Sequence, residues 1–130
     1  MDYKHSELTR EIINAFYQVY NTLGYGFLEK VYENALTYEL RKRGFEVATQ
    51  MPISVYYDSL CVGEYFADLV INQAVIVELK AIENIVRQHE VQLINYLKAT
   101  RFEVGLILNF GPKPQVARKV YETARQTKQK

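Results

Sequence analysis

Two short apolar runs carry charges where a buried strand would normally exclude them. Phe66-Ala67-Asp68-Leu69-Val70-Ile71 holds a carboxylate, and Val75-Ile76-Val77-Glu78-Leu79-Lys80 holds a carboxylate and a lysine. Strand alternation puts Glu78 and Lys80 on one face and Val75, Val77 and Leu79 on the other. A charge in an interior strand is costly unless it is paired, hydrogen-bonded or bound to a cation. Two such strands close in sequence suggest one shared site. Asp68 and Glu78 offer oxygen ligands of the kind Mg²⁺ prefers. A cation held there would polarise a phosphodiester and acidify a bound water. Lys80 would orient that water or offset the charge developing on phosphorus-bound oxygens.

Two helical segments add candidates to the site. At about 100° per residue, Glu29, Glu33, Leu36 and Leu40 fall in one stripe. Val31, Leu28 and Ala35 extend its apolar side, and Lys30, Asn34, Thr37 and Arg41 form the solvent side. Glu29 and Glu33 therefore sit at the margin of the buried face. Each either pairs with a neighbouring cation, as carboxylates on helix faces commonly do, or points at Asp68 and Glu78. On the segment after Lys80, Val86, Leu93, Leu97 and Ile94 make an apolar stripe. Ile85, His89, Gln92 and Tyr96 line up separately. That helix begins near the carboxyl end of the Glu-x-Lys strand, which puts His89, Gln92 and Tyr96 beside the site. Gln92 would hold the water or the scissile phosphate.

The elements that must position these residues follow from periodicity and breakers. Ser6 is expected to cap a first helix ending near Leu23, before Gly24-Tyr25-Gly26. A second helix is expected from Phe27 to Arg43, closed by Gly44. Phe45 to Tyr57 reads as a strand, with Pro52 marking an edge or a bulge. Val62 to Ile71 is a second strand, with Gly63 as a candidate bulge. Asn72-Gln73 is a two-residue turn, and Ala74 to Lys80 is a third strand. A helix from Ile85 to Thr100 leads to a fourth strand, Phe102 to Phe110. A short basic helix from Gln115 to Gln126 closes the chain. The order is ααβββαβα, with no repeat and no linker.

The 130 residues suffice for one domain with a core, so we expect a single domain over 1–130. No apolar run approaches the roughly 20 residues a membrane helix needs. The polar start, Met1-Asp2-Tyr3-Lys4-His5, lacks a signal-peptide core. The single Cys61 forms no intrachain disulfide, which fits a cytosolic, cytoplasmic setting. No Gly-rich phosphate loop, Gly-x-Ser-x-Gly motif or Cys/His zinc cluster is present. Net charge is only +1, so any nucleic-acid contact must rest on local patches. Arg41-Lys42-Arg43 is one. The other is the tail from Lys113 to Lys130, with Arg118, Lys119, Arg125, Lys128 and Lys130.

With these residues in place, the chain resembles the PD-(D/E)xK nuclease superfamily. Asp68 and Glu78-x-Lys80 are similar to its central motif, and Ala67 stands where the name has proline. Gln92-Leu-Ile-Asn-Tyr96 resembles the Q-x-x-x-Y motif of the RecB-like branch. Gly26-Phe-Leu-Glu29-Lys-Val-Tyr32-Glu33 resembles the signature of the small GxxExxY proteins. The likeness spans about Leu23 to Gly111. It implies an α/β (α+β) fold with a restriction-endonuclease-like αβββαβ core, a four-stranded mixed sheet flanked by helices. It also implies a Mg²⁺- or Mn²⁺-dependent nuclease acting on DNA, with RNA as an alternative substrate. Asp68, Glu78 and a carboxylate of the second helix (Glu33 or Glu29) would be the metal ligands. Lys80 and Gln92 would join them in catalysis. The low net charge favours a homodimer or a partner protein. The competing expectation is a non-catalytic nucleic-acid-binding or assembly module that retains the fold. The intact Asp68, Glu78 and Lys80 argue against it.

Overall fold

The computed structural model describes residues 4–122. Two helices, α1 (Ser6–Leu23) and α2 (Glu29–Lys42), precede three strands, β1 (Val47–Tyr57), β2 (Leu60–Ile71) and β3 (Val75–Lys80). Helix α3 (Arg87–Lys98) then leads to β4 (Val104–Phe110) and β5 (Pro114–Val120). The sheet order is β1-β2-β3-β4-β5. Only β3 and β4 run parallel, and α3 is their crossover.

The sheet therefore has five strands rather than four. The fifth falls where a basic helix was expected from Gln115, and the rest of that expected helix, from Thr123 on, lies outside the described residues. The cause is tertiary. All seven residues of β4 are buried, and its outer edge would leave backbone groups unpaired. The 114–120 segment pairs with it along its full length, from Val104↔Val120 to Phe110↔Pro114. That ladder overrides the local helix preference of Gln-Val-Ala-Arg-Lys. Among the described residues no helix is long and apolar enough to cross a membrane.

Two cores sandwich the sheet. On one face α1 and α2 pack Phe16, Tyr32 and Leu36 against Val77, Leu79, Leu106 and Leu108. On the other, α3 packs Leu93, Tyr96 and Leu97 against Ile53, Ala67, Ile76 and Ile107. Gly105 allows that close approach, since a Cβ there would lie 2.7 Å from a Leu93 methyl. Val75, Val77 and Leu79 do share one face, as alternation requires.

Several local details differ from expectation. The α1 cap is His5, in the left-handed region at φ 53°, and Ser6 is the first helical residue. Thr37, expected in solvent, is buried, and its hydroxyl has no hydrogen-bond partner among the described residues. Val31 and Leu28, expected on the apolar side, are exposed. Val86, expected in the α3 apolar stripe, precedes the helix and is exposed. Asn72 and Gln73 both adopt φ near 50°, as a tight hairpin turn demands.

Candidate active site at a fork between two strands

β2 and β3 pair over only three positions, from Ile71↔Val75 to Leu69↔Val77. Beyond Leu69 and Val77 they separate. β2 continues with β1 alone, while Glu78, Leu79 and Lys80 continue with β4 alone. Asp68 and Glu78 are the first residues past the last pair. Their side chains replace the lost ladder. The Asp68 N–H donates to Glu78 Oε2 at 3.0 Å, and the Leu79 N–H donates to Asp68 Oδ2 at 2.8 Å. The two carboxylates thus line the inside of a fork.

β1 follows the same break. Val47 and Ile71 face the α1/α2 core, whereas Ile53 and Ala67 face the α3 core, although all four numbers are odd. Strict alternation has therefore shifted by one residue between Val47 and Ile53 and between Ile71 and Ala67. The shift coincides with Gln50, which sits at φ 51° between the pairs Thr49↔Leu69 and Met51↔Ala67. The other non-glycine residues with positive φ lie at a helix start or in hairpin turns. A left-handed conformation costs such a residue about 1–2 kcal/mol. The Gln50 amide occupies the gap, with Nε2 3.3 and 3.4 Å from the Glu33 oxygens and 3.4 Å from Asp68 Oδ1. Sequence reasoning missed Gln50. Its backbone conformation follows from the fork, and nothing in Thr49-Gln50-Met51 announces it.

Helix α2 supplies two more carboxylates. Glu33 is buried, contacts Gln50 and pairs with Lys30 at 3.4 Å. Glu29 is more exposed, but its carboxyl group feels the Ala81 amide and the charges of Lys80, Asp68 and Glu33. Both therefore lean toward the fork. The start of α2 is fixed by Tyr32. Its hydroxyl donates to the Gly24 carbonyl at 2.6 Å and accepts the Phe27 N–H at 3.1 Å. Its ring stacks on Phe110 at 4.2 Å. Gly26 adopts φ 121°, a value side chains rarely tolerate. So Gly26 and Tyr32 shape the loop that aims Glu29.

Lys80 is half-buried and lies in the field of Glu29, Asp68, Glu78 and His89. Among the described residues no carboxylate closes an ion pair with it. Glu78, Lys80, His89 and Gln92 border a cavity of about 160 Å³ under α3. Gln92 donates to the Tyr96 hydroxyl at 2.9 Å. His89 is engaged at the helix start, where its Nδ1 accepts the Val86 N–H at 3.2 Å. Burial, then Lys80, lowers its pKa.

The loop after Lys80 is held by residues that sequence reasoning also passed over. Asn109 is fully buried. Its Oδ1 accepts the Ile82 N–H, and its Nδ2 donates to the Ile82 carbonyl and to Gln115 Oε1, all at 3.0 Å. Gln115 Oε1 also accepts the Ile85 N–H at 3.0 Å. At Gly111 a Cβ would meet the Ile82 carbonyl at 2.0 Å. A polar residue in an all-apolar strand was the available signal.

The electrostatics are those of carboxylates gathered without enough positive charge. Burial, then the Asp68 charge, pushes Glu78 up to about 8, against the opposing Asp68 N–H and Lys80. Burial raises Asp68 too, with Glu33 adding to the effect and the Leu79 N–H and Gln50 opposing it. Burial likewise raises Glu29. Burial, then Glu78, raises Tyr96. Such a set suits a hard cation in donor type, being all oxygen. Among the described residues no three His, Cys, Asp or Glu side chains already form a closed metal-binding group. The Gln50 amide stands between Glu33 and Asp68.

The expected basic patches are largely engaged elsewhere. Arg43 and Lys42 pair with Glu39 at 2.8 and 3.3 Å, and Arg41 donates to the Val47 carbonyl. Lys119 pairs with Glu90 at 2.5 Å, while Arg125, Lys128 and Lys130 lie outside the described residues.

A model of the PD-(D/E)XK nuclease superfamily matches residues 6–120, and the chain belongs to that superfamily. The matched span covers every strand of the sheet and every residue of the fork. Comparisons with curated proteins and with solved structures give no match.

Proposed function

We propose that the chain is a divalent-metal-dependent nuclease that hydrolyses DNA phosphodiester bonds at the β2/β3 fork. The observation that carries this reading is the Asp68–Glu78 interlock, with Lys80 beside it and, among the described residues, in no ion pair. Asp68 and Glu78 are the ligands for Mg²⁺ or Mn²⁺, Glu33 completes the set, and Glu29 lies within reach of the same field. The bound cation supplies Lewis acidity and an acidified water.

The chain's own groups do the remaining work. The backbone N–H groups of Asp68 and Leu79 fix the two carboxylates, so little reorientation is left for the reaction. Lys80 places a positive charge where the phosphoryl oxygens gain negative charge. Its charge acts on Glu29, Asp68 and Glu78 together, and among the described residues none of them holds it in an ion pair. Gln92, braced by Tyr96, orients the phosphate or water from the α3 side. Gly26, Glu29 and Tyr32 fit the GxxExxY pattern, two of them shaping the loop and one facing the site. The exposed, unpaired Cys61 fits a reducing, cytoplasmic setting.

The test is Lys80→Met, which keeps the aliphatic stem and removes the charge. Cleavage should fall by roughly two orders of magnitude, with thermal unfolding close to the parent. A variant that cuts as well as the parent, or that unfolds early, overturns the catalytic role of Lys80.

A further inference from the structure

Beyond Met51↔Ala67 the β1–β2 hairpin pairs only with itself as far as Tyr57↔Leu60, forming an arm. The arm overhangs α3. Between them runs a cleft of about 340 Å³, with Val55 and Tyr65 on one wall and Gln92, Asn95, Tyr96 and Lys98 on the other. That volume is within the range of small-ligand sites. Tyr65 is 47% exposed, and its ring lies 5.7 Å from the buried Tyr96 ring at a 44° tilt. Its free face is available to a flat partner.

The hydrogen-bonded Gln92–Tyr96 pair forms part of this cleft. Gln92 also borders the cavity that holds Glu78 and Lys80. Gln92 is thus common to the cleft and to the cavity beside the fork. The cleft's chemistry is one open aromatic face, two side-chain amides and a lysine. Among the described residues Lys98 has no carboxylate partner. Aromatic faces stack on bases, amides read their edges, and lysine meets phosphate. A base inside a duplex is stacked on both faces and would first have to be unpaired and unstacked, at a cost of a few kcal/mol.

We infer that this cleft receives an unpaired nucleobase next to the phosphodiester at the fork, so that the preferred substrate is single-stranded or frayed DNA. The inference rests on the nuclease reading and adds the strand preference to it.

The experiment is fluorescence anisotropy on the full chain without divalent ions. The probes are a labelled oligothymidylate, an abasic strand of equal length and a duplex of equal length. The oligothymidylate should bind tightest. Tyr65→Ala should weaken that binding roughly 5- to 150-fold, the loss of one base–aromatic stack, while Tyr65→Phe retains it. Lys98→Ala should reduce the salt dependence by about one phosphate contact. Thermal unfolding of each variant guards against misfolding. If the abasic strand or the duplex binds as well as oligothymidylate, or Tyr65→Ala binds like the parent, the cleft holds no base. The nuclease reading then survives, provided the parent still cleaves DNA when Mn²⁺ is added. A parent that neither binds nor cleaves any of the three probes overturns both.

Discussion

The Asp68 N–H donates to Glu78 Oε2 at 3.0 Å, at the point where β2 and β3 cease to pair through their backbones. The carboxylates at the fork are thus part of the sheet's own hydrogen bonding. Leu79 completes the interlock from the other side. This arrangement brings two acids into the sheet and holds them there through backbone N–H groups. Its cost is visible in the raised pKa of Glu78.

That cost predicts a pH dependence. The Glu78 carboxyl titrates near 4.5 in the unfolded chain and at about 8 in the folded one. Between these values the folded chain holds a proton that the unfolded chain has lost. Stability is therefore greatest below about 4.5 and declines toward about 8, by on the order of a few kcal/mol. Asp68 and Glu29, also raised, add in the same direction. Thermal unfolding of ion-free protein across this range should show Tm falling as pH rises. Glu78→Gln should flatten the curve and melt above the parent near pH 8. A flat parent curve would contradict the protonated Glu78.

Ion binding should oppose that trend. A cation needs the ionised carboxylate, so it must displace the Glu78 proton near neutral pH. Calorimetric titration with Mn²⁺ should give affinity that rises by up to about tenfold per pH unit below about 8. Proton release should be detected as a dependence of the heat on buffer. Affinity independent of pH would place the ion away from Glu78.

Gln50 separates backbone strain from side-chain function. Gln50→Gly relieves the left-handed conformation, worth about 1 kcal/mol, but deletes the amide that aims Glu33 at Asp68. Its Tm should equal or exceed that of Gln50→Ala. Mn²⁺ affinity should fall roughly 10- to 100-fold in both, as for lost outer-shell partners of a metal site. Unchanged affinity would reduce Gln50 to a structural kink.

Asn109 tests the loop bracket. Asn109→Ala leaves the Ile82 N–H and carbonyl without their Asn109 partners in a part-buried place. A loss of about 2–3 kcal/mol should appear in denaturant unfolding. Cleavage should fall as well, because the loop after Lys80 loses its anchor. A stable variant would mean that other groups satisfy Ile82.

Much of this architecture could be read from residue types and spacing. The 2-residue period put Glu78 and Lys80 opposite Val75, Val77 and Leu79 because both faces of β3 are covered, so register is strongly specified. The Asn72-Gln73 turn and the α3 crossover followed from local chemistry. What escaped was set by distant contacts. Val116 and Ala117 became strand because β4 needed an edge partner. Thr37 was buried by packing that a helical wheel does not include. Gln50 took its conformation from a fork formed by residues about twenty and thirty positions away. Helical spacing put Glu29 and Glu33 together near the buried margin. It took the Tyr32 clamp and the Gln50 amide to separate a buried Glu33 from a more exposed Glu29.

Whether the fork is a nuclease centre is decided by cleavage of labelled single-stranded DNA as a function of Mn²⁺ concentration, for the parent and for Asp68→Asn. Cleavage by the parent should require the ion and saturate with it. Asp68→Asn should lose that cleavage while melting at or above the parent's temperature, since removing one of two neighbouring half-buried acids relieves repulsion. A parent that leaves single-stranded and duplex DNA intact at every Mn²⁺ and Mg²⁺ concentration, or an Asp68→Asn variant that cuts like the parent, would contradict the nuclease reading.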